Sequence, residues 1–486
     1  QLFLDVTGRN DWSSSLVYSY GRGNFSYFYP SVSGSWIITE SFKDTLPKWV
    51  SFAKVRGSWA QVGNDTSPYY INSGYEIATY QRGDKKVYGM KIPDNMKSTN
   101  LKPERKNAWE VGLDWRFLDS RIGLDLTYYK ENTRNQIMTI DVPEASGVKQ
   151  KLINAGNIQN SGIEIALNTT PYKRGDWQWD LNLTYTRNRN KIVELSPDVA
   201  SYINLDGLAN YGNYRIASVA KVGSDYGMLM SDSWIKTDEK TGKPIIGYSN
   251  NYRTVYYKRG GTVKEVGSML PDFLGTVNTT LRWKDLSLYV LFDARFGGYV
   301  ASYNSRYATA YGFSGESEKY RKGMTWTSRY DNAKDKVFTD GFIPDAIFDQ
   351  GTVVTAPDGT QHDVSGKTYQ EAYEKGLVEP AHMQGHGYFK NSWGQGVIND
   401  DWFKKLNYIA LREVTLSYNV PCRLYSYIGA KSLALSLTGR NIAYLLNTAP
   451  NHENPESVRG TGAAQFRMRS FMPYTASYLF TLNATF

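Results

Sequence analysis

The sequence predicts an all-β fold, a run of membrane-spanning antiparallel strands from a β-barrel. Three observations carry that reading. Apolar and polar residues alternate with period two in segment after segment, and each apolar face spans about nine residues, the length of a tilted strand crossing a bilayer. The links between segments alternate between long and short. Large aromatic residues gather beside the short links. Soluble sheets alternate too, so the first observation decides little by itself. Asp, Glu, Arg and Asn in mid-strand on the polar faces decide more, because a sandwich core would not accept them.

Taken in order, the first strand is "LFLDVT" at 2–7, and two more run near 25–40 and 51–63. In "AWEVGLDWRF" Trp109, Val111, Leu113, Trp115 and Phe117 share a face opposite Glu110, Gly112, Asp114 and Arg116. "RIGLDLTYYK" sets Ile122, Leu124, Leu126 and Tyr128 against Gly123, Asp125, Thr127 and Tyr129. A strand near 161–171 carries Glu164. "WQWDLNLTYT" sets Trp177, Trp179, Leu181, Leu183 and Tyr185 against Gln178, Asp180, Asn182, Thr184 and Thr186. "FLGTVNTTLRW" and "LSLYVLFDARF" flank a Lys284–Asp285 turn, and "LREVTLSYNV" and "LALSLTGRN" repeat the theme. The chain closes on "YTASYLFTLNATF", alternating to its last residue, Phe486. The count is about twelve strands.

The links are the stronger test. Long ones cover 8–24, 64–104, 139–160, 188–271, 298–404 and 446–472; short ones cover 41–50, 118–120, 172–176, 284–285 and 421–430. Long extracellular loops and short periplasmic turns give this pattern, whereas a soluble meander has no reason to lengthen every second link. Trp115, Phe117, Trp177, Trp179 and Trp283 all lie within a residue or two of a short turn. They form the expected periplasmic aromatic belt, where a ring has an apolar body and a wet edge. The opposite face, with Asp114, Arg116, Asp125, Asp180, Asn182, Asp293 and Arg295, is expected to look into the lumen or onto a plug. Arg412 and Arg440 are harder to assign, because register slips near strand ends.

Composition narrows the function. Among 486 residues there are 38 Tyr and 13 Trp, and no apolar run reaches the length of a transmembrane helix. The formal charge of +9 is spread thinly, without a basic helix to track nucleic acid, and suits an anionic membrane surface equally well. A single cysteine, Cys422, excludes a disulfide framework. His382 and His386 are four apart in a Gly-rich stretch without the glutamate of a zinc protease. The Asp-rich stretches 331–336 and 356–360 do not match a calcium loop. With no phosphate loop or nucleophile elbow either, the expectation is a non-enzyme with neither metal nor cofactor.

"YPSVSGSWIITE", "VRGSWAQVGND", "LKPERKNAWEVGLDWRFLDSRIGLDLTYYKENTRNQI", "NAGNIQNSGIEIALN", "LSLTGRNIAYL" and the final Phe486 resemble the barrel of SusC/RagA-type TonB-dependent transporters of Bacteroidetes outer membranes. The resemblance implies energised uptake of a large nutrient, a glycan or oligopeptide. It also implies a SusD-like surface lipoprotein as lid, TonB acting through a plug, and a possible dimer of transporter–lipoprotein pairs. Outer-membrane lipid and lipopolysaccharide would surround the barrel, and the barrel-assembly machinery would read Phe486. Barrels of this class have about 22 strands, so residues 1–486 are expected to be the C-terminal 12–14 or so, with plug and first strands elsewhere. The strand 474–486 should then pair with a strand outside these residues, not with 2–7. A passive porin, or a transporter-like barrel recruited as a scaffold, remain the alternatives. Candidate ligand contacts fall in the loop 298–404, where Tyr303, Tyr307 and Tyr311 recur at four-residue spacing, with Trp326 and Trp393 further on. Such rings stack on sugars or peptide side chains, or pack a short helix into a loop core.

Overall fold

The computed structural model describes all residues except 73, 99–100, 198, 200, 207–215, 319–322, 384–401, 460–465 and 470–472. Its centre is one sheet of twelve strands, laid side by side in chain order. They are β1 (Leu2–Trp12), β2 (Ser26–Ile37), β3 (Val50–Asn64), β4 (Glu104–Phe117), β5 (Ile122–Arg134) and β6 (Asn157–Arg174). The second half comprises β7 (Trp177–Glu194), β8 (Phe273–Trp283), β9 (Leu286–Phe296), β10 (Tyr408–Asn419), β11 (Ser432–Asn447) and β12 (Ser477–Thr485). Every neighbouring pair is antiparallel. Among the described residues β1 pairs only with β2 and β12 only with β11, so the barrel sheet is open and residues 2–7 do not meet 477–485.

Register carries the two-faced pattern across the sheet. Val55, Leu113, Leu126, Ile165 and Tyr185 lie side by side on successive strands. So do Trp177, Trp283, Leu286, Tyr418, Leu435 and Leu482. These rows form the lipid face, and their large apolar side chains stand exposed where a soluble protein would bury them: Leu4 at 70%, Leu437 at 57%, Phe480 at 70%. The short links are the periplasmic turns, and the tightest, Gly175-Asp176 and Lys284-Asp285, are two residues long. A two-residue hairpin that follows strand twist needs positive φ, and Gly175 (57°) and Lys284 (54°) supply it.

Several strands outrun their alternating segments. β1 continues to Trp12, β7 to Glu194, and β6 begins at Asn157, so the links 8–24, 188–271 and 139–160 are shorter than the pattern suggested. Above the membrane a strand no longer needs an apolar face, so the backbone ladder persists after the alternation has lapsed. Gly156 lets the tops of β6 and β7 stay close: it has φ +102°, and a Cβ there would lie 2.0 Å from the Glu194 carbonyl oxygen.

The buried core sits mainly in the long extracellular loops. Ile246, Val255, Phe348, Val354 and Tyr369 form one cluster, contributed jointly by the two longest loops. Ile216, Leu229, Trp402, Phe403 and Phe466 join three loops in a second. In a third, Ile158 and Ile192 at the tops of β6 and β7 pack with Ile140, Ile153 and Ile203. Each fully buried Ile or Leu contributes about 1.5–3 kcal/mol, so these loops are a folded cap rather than slack connectors.

Candidate functional site on the polar face and in the extracellular loops

On the polar face, facing side chains on neighbouring strands meet because alternate residues project the same way. The Arg56 guanidinium donates to both Asp125 carboxylate oxygens at 3.0 Å and to Thr127 Oγ1 at 2.6 Å. Asp114 and Arg116 share this face at 3.6 Å, and Lys106 pairs with Glu131. Asp180 accepts from Thr170 at 2.8 Å, from Gln178 at 2.9 Å and from Arg282 at 2.5 Å. Asn182 donates to Asn278 at 2.7 Å. Arg440 donates to Glu413 at 3.0 Å. Arg295 instead turns to the carbonyls of Met269 and Gly297.

One group ties this face to the loop 448–476. Arg412 Nη2 donates to Asp293 Oδ2 at 2.8 Å and to Glu456 Oε1 at 2.6 Å, and Nη1 donates to Glu456 Oε2 at 2.7 Å. Tyr444 Oη also donates to Glu456, at 2.8 Å. Burial opposes ionisation of the Glu456 carboxyl, but the Arg412 and Tyr444 hydrogen bonds outweigh it and hold the group below its ordinary range.

The aromatic residues singled out beside the short turns all lie on the apolar face. Trp177 stacks on Trp283 with centroids 5.6 Å apart, Trp115 meets Phe117 edge-on at 6.0 Å, and Trp49 reaches Phe117 at 5.5 Å. Trp179 Nε1 donates to Thr279 Oγ1 at 2.7 Å. Phe486 lies just past β12, exposed, with its carbonyl accepting from Lys431 Nζ at 3.0 Å.

Tyr303 and Tyr307 fall on the helix Tyr303–Ala310, and Tyr311 caps its end. Ser302 starts the helix, its hydroxyl accepting from Ser305 N at 2.9 Å and donating to Glu453 Oε2 at 2.7 Å. Burial pushes the Glu453 carboxyl up to about 7, even though the Ser302 hydrogen bond opposes the shift. Arg306, 2% exposed, lies over the Tyr307 ring at 5.2 Å, with Tyr303 and Trp402 slightly further away. Tyr303 packs against the loop core, while Tyr307 and Tyr311 stack at 6.3 Å with 12° between their planes and remain exposed. Phe313, two residues after Tyr311, is 83% exposed and was missed by sequence reasoning, because it lies outside the four-residue spacing. Trp326 is placed differently. Its ring packs between Phe338 and His382, and its Nε1 donates to buried Glu379 at 3.2 Å, so it is a strut of the loop core. Trp393 and His386 lie outside the described residues. His382 itself is held by Asp340 at 3.1 Å. Among the described residues no group of side chains could hold a metal ion.

Residues 1–254 match the family model described as "TonB dependent receptor-like, beta-barrel". The chain belongs to that family. It is a SusC/RagA-type receptor barrel of the outer membrane, crossing the bilayer by strands. TonB-dependent receptor P26 of Formosa agariphila is 24% identical over 450 residues, covering 90% of this chain and 40% of that receptor. TonB-dependent receptor SusC of Bacteroides thetaiotaomicron is 28% identical over 246 residues, 48% of this chain and 24% of SusC. The solved RagAB peptide transporter superposes on all of this chain with a TM-score of 0.65 at 16% identity, using 46% of that chain. The receptor barrel described here therefore spans less than half the length of these relatives.

Proposed function

We propose that this chain is the C-terminal part of an energised outer-membrane importer of large nutrients, glycans or oligopeptides, working with a SusD-like lipoprotein lid. The observation that carries the reading is an open twelve-strand membrane sheet of a TonB-dependent receptor family, with a polar inner face under a folded loop cap. An unpaired sheet edge is costly in lipid, so β1 and β12 pair with strands from the rest of the protein, which also supplies the plug on which TonB pulls. RagAB being a peptide transporter supports a peptide cargo. The stacked and exposed Tyr307 and Tyr311, with Phe313, form the ligand-contacting surface, and Asp114, Arg116, Asp125, Asp180, Asn182, Asp293 and Arg295 line the lumen. Trp115, Phe117, Trp177, Trp179 and Trp283 anchor the periplasmic rim. The test is deletion of the gene in its own host, followed by uptake of labelled oligopeptides and glycans with and without TonB. Loss of uptake of one class, restored by the wild-type gene and not by a Tyr307→Ala/Tyr311→Ala variant, is expected. TonB-independent diffusion would replace this reading with a porin.

A further inference from the structure

The lipid-facing side of β4–β7 changes character at one height. On β7 the outward residues are Trp177, Trp179, Leu181, Leu183 and Tyr185, followed by Arg187, Arg189 and Lys191. The register places Lys130 and Ser161 beside Arg189, and Asn132 and Gln159 beside Lys191. One step higher, Arg105 and Arg134 face each other across β4 and β5. Six cations therefore share the outer surface of four strands. The outward tops of β8, β9 and β10 carry Phe273, Phe296 and Ile409 instead, so this is a local patch.

Height identifies what the patch meets. From Trp177 in the periplasmic belt to Arg187 is ten residues, and at about 3.3 Å per residue with about 40° of tilt this rises ~25 Å, the height of the apolar band. The cations thus begin where the hydrocarbon of the outer leaflet ends. On the inner face Arg56, Lys106, Arg282, Arg412 and Arg440 each have a carboxylate partner. Among the described residues none of the six outer cations makes an ion pair. Arg187, Arg189 and Lys191 also line an open cleft of about 450 Å³, where β7 rises past the start of β8. Asp225 and Asp272 stand on its far side, and Asp272 is already held by Lys405 at 2.6 Å.

We propose that this patch binds the phosphate-bearing headgroup of outer-leaflet lipopolysaccharide, with Lys130, Arg187 and Arg189 contacting phosphate and Arg105, Arg134 and Lys191 completing the cationic site. The proposal uses the outer surface alone and holds whether or not the chain imports anything. The test uses the intact membrane protein in detergent, with bisphosphorylated lipid A, dephosphorylated lipid A and inorganic phosphate as separate probes. Each neutralised cation near a membrane surface lowers affinity about fivefold, so Lys130→Gln/Arg187→Gln/Arg189→Gln should bind bisphosphorylated lipid A about a hundredfold more weakly. Dephosphorylated lipid A should bind both proteins alike, and the inner-face variant Arg56→Gln should bind like the parent. The single variant Arg189→Gln, about fivefold weaker, covers the case in which the triple variant does not fold. Unchanged binding by folded variants would overturn the proposal. Competition by inorganic phosphate at the concentrations where lipid A acts would also overturn it, by making the patch a site for free anions.

Discussion

Replacing Arg412 with Gln should loosen the segment around Glu456 from the barrel wall. The guanidinium bridges Asp293 on β9 and Glu456 in the loop, with contacts of 2.6–2.8 Å on its two terminal nitrogens. Charge-assisted hydrogen bonds of this kind are each worth about 1.5–3 kcal/mol when well shielded. Here the shielding is partial, since the side chains of Arg412, Asp293 and Glu456 are 18%, 28% and 44% exposed, so solvent screens the Glu456 arm. Discounted for that, the loop arm holds about 1–2 kcal/mol, on the order of a tenfold change in local opening. Hydrogen exchange at Glu453–Ser457, in Arg412→Gln, Glu456→Gln and the double variant, measures it directly. The two single variants should each speed exchange about tenfold, and the double variant should be little worse than either. Additive effects, or protection unchanged in Arg412→Gln, would show that the loop is held by its own packing and that the ion pairs are incidental.

Glu453 should give the opposite pH response to Glu456. Its folded carboxyl titrates at about 7, so the helix-capping loop is most stable below the ordinary value near 4.5 and loses stability as pH rises through 7, by at most about 3 kcal/mol. Thermal melts between pH 5 and 8 should show that slope, and Glu453→Gln should flatten it; an unchanged slope sinks the assignment. Glu456, held low, stabilises its loop at neutral pH and should lose that contribution only as the solution is acidified below its ordinary range. Leu113→Lys on the lipid face should cost about 2–4 kcal/mol in denaturant titrations, whereas Asn182→Lys on the polar face should cost little, and equal costs would show that the faces are misassigned. Trp177→Ala removes the stack on Trp283 and should lower stability by about 1 kcal/mol; a midpoint matching the parent would show that the stacked pair adds nothing.

The membrane sheet was legible because lipid makes register expensive to violate. A one-residue slip would put Asp114 or Asp125 into hydrocarbon, so period two survives in the sequence wherever a strand crosses the bilayer. The same physics explains where the reading stopped. Above the apolar band both faces of a strand are wet, which is why the tops of β1, β6 and β7 carry no alternation and why their ends were placed too low. The cations Arg187, Arg189 and Lys191 do continue the outward parity of Trp177 to Tyr185. Arg189 and Lys191 read as loop residues only because the link was started at 188, where the apolar alternation had already lapsed.

The loop contacts were illegible for a different reason, and Arg412 shows it best. The β10–β11 ladder shifts register between Leu411 and Glu413, and β9–β10 shifts beside it. A bulge of this kind sets two consecutive residues against one, so Arg412 and Glu413 both serve the polar face, where strict alternation would send one of them into lipid. Two adjacent charges inside an otherwise alternating strand were the available signal. What the sequence could not supply was the partner: Glu456 lies 44 residues away in a loop with no periodicity of its own. Trp326 carries the same lesson. Its place in the long loop 298–404 made it a candidate ligand contact, but Phe338, His382 and Glu379 reach it from strands and turns whose meeting depends on the folded loop core. Local pattern therefore places a residue on a face of the barrel, whereas contacts in the cap follow from packing between the two longest loops, which period-two alternation does not encode.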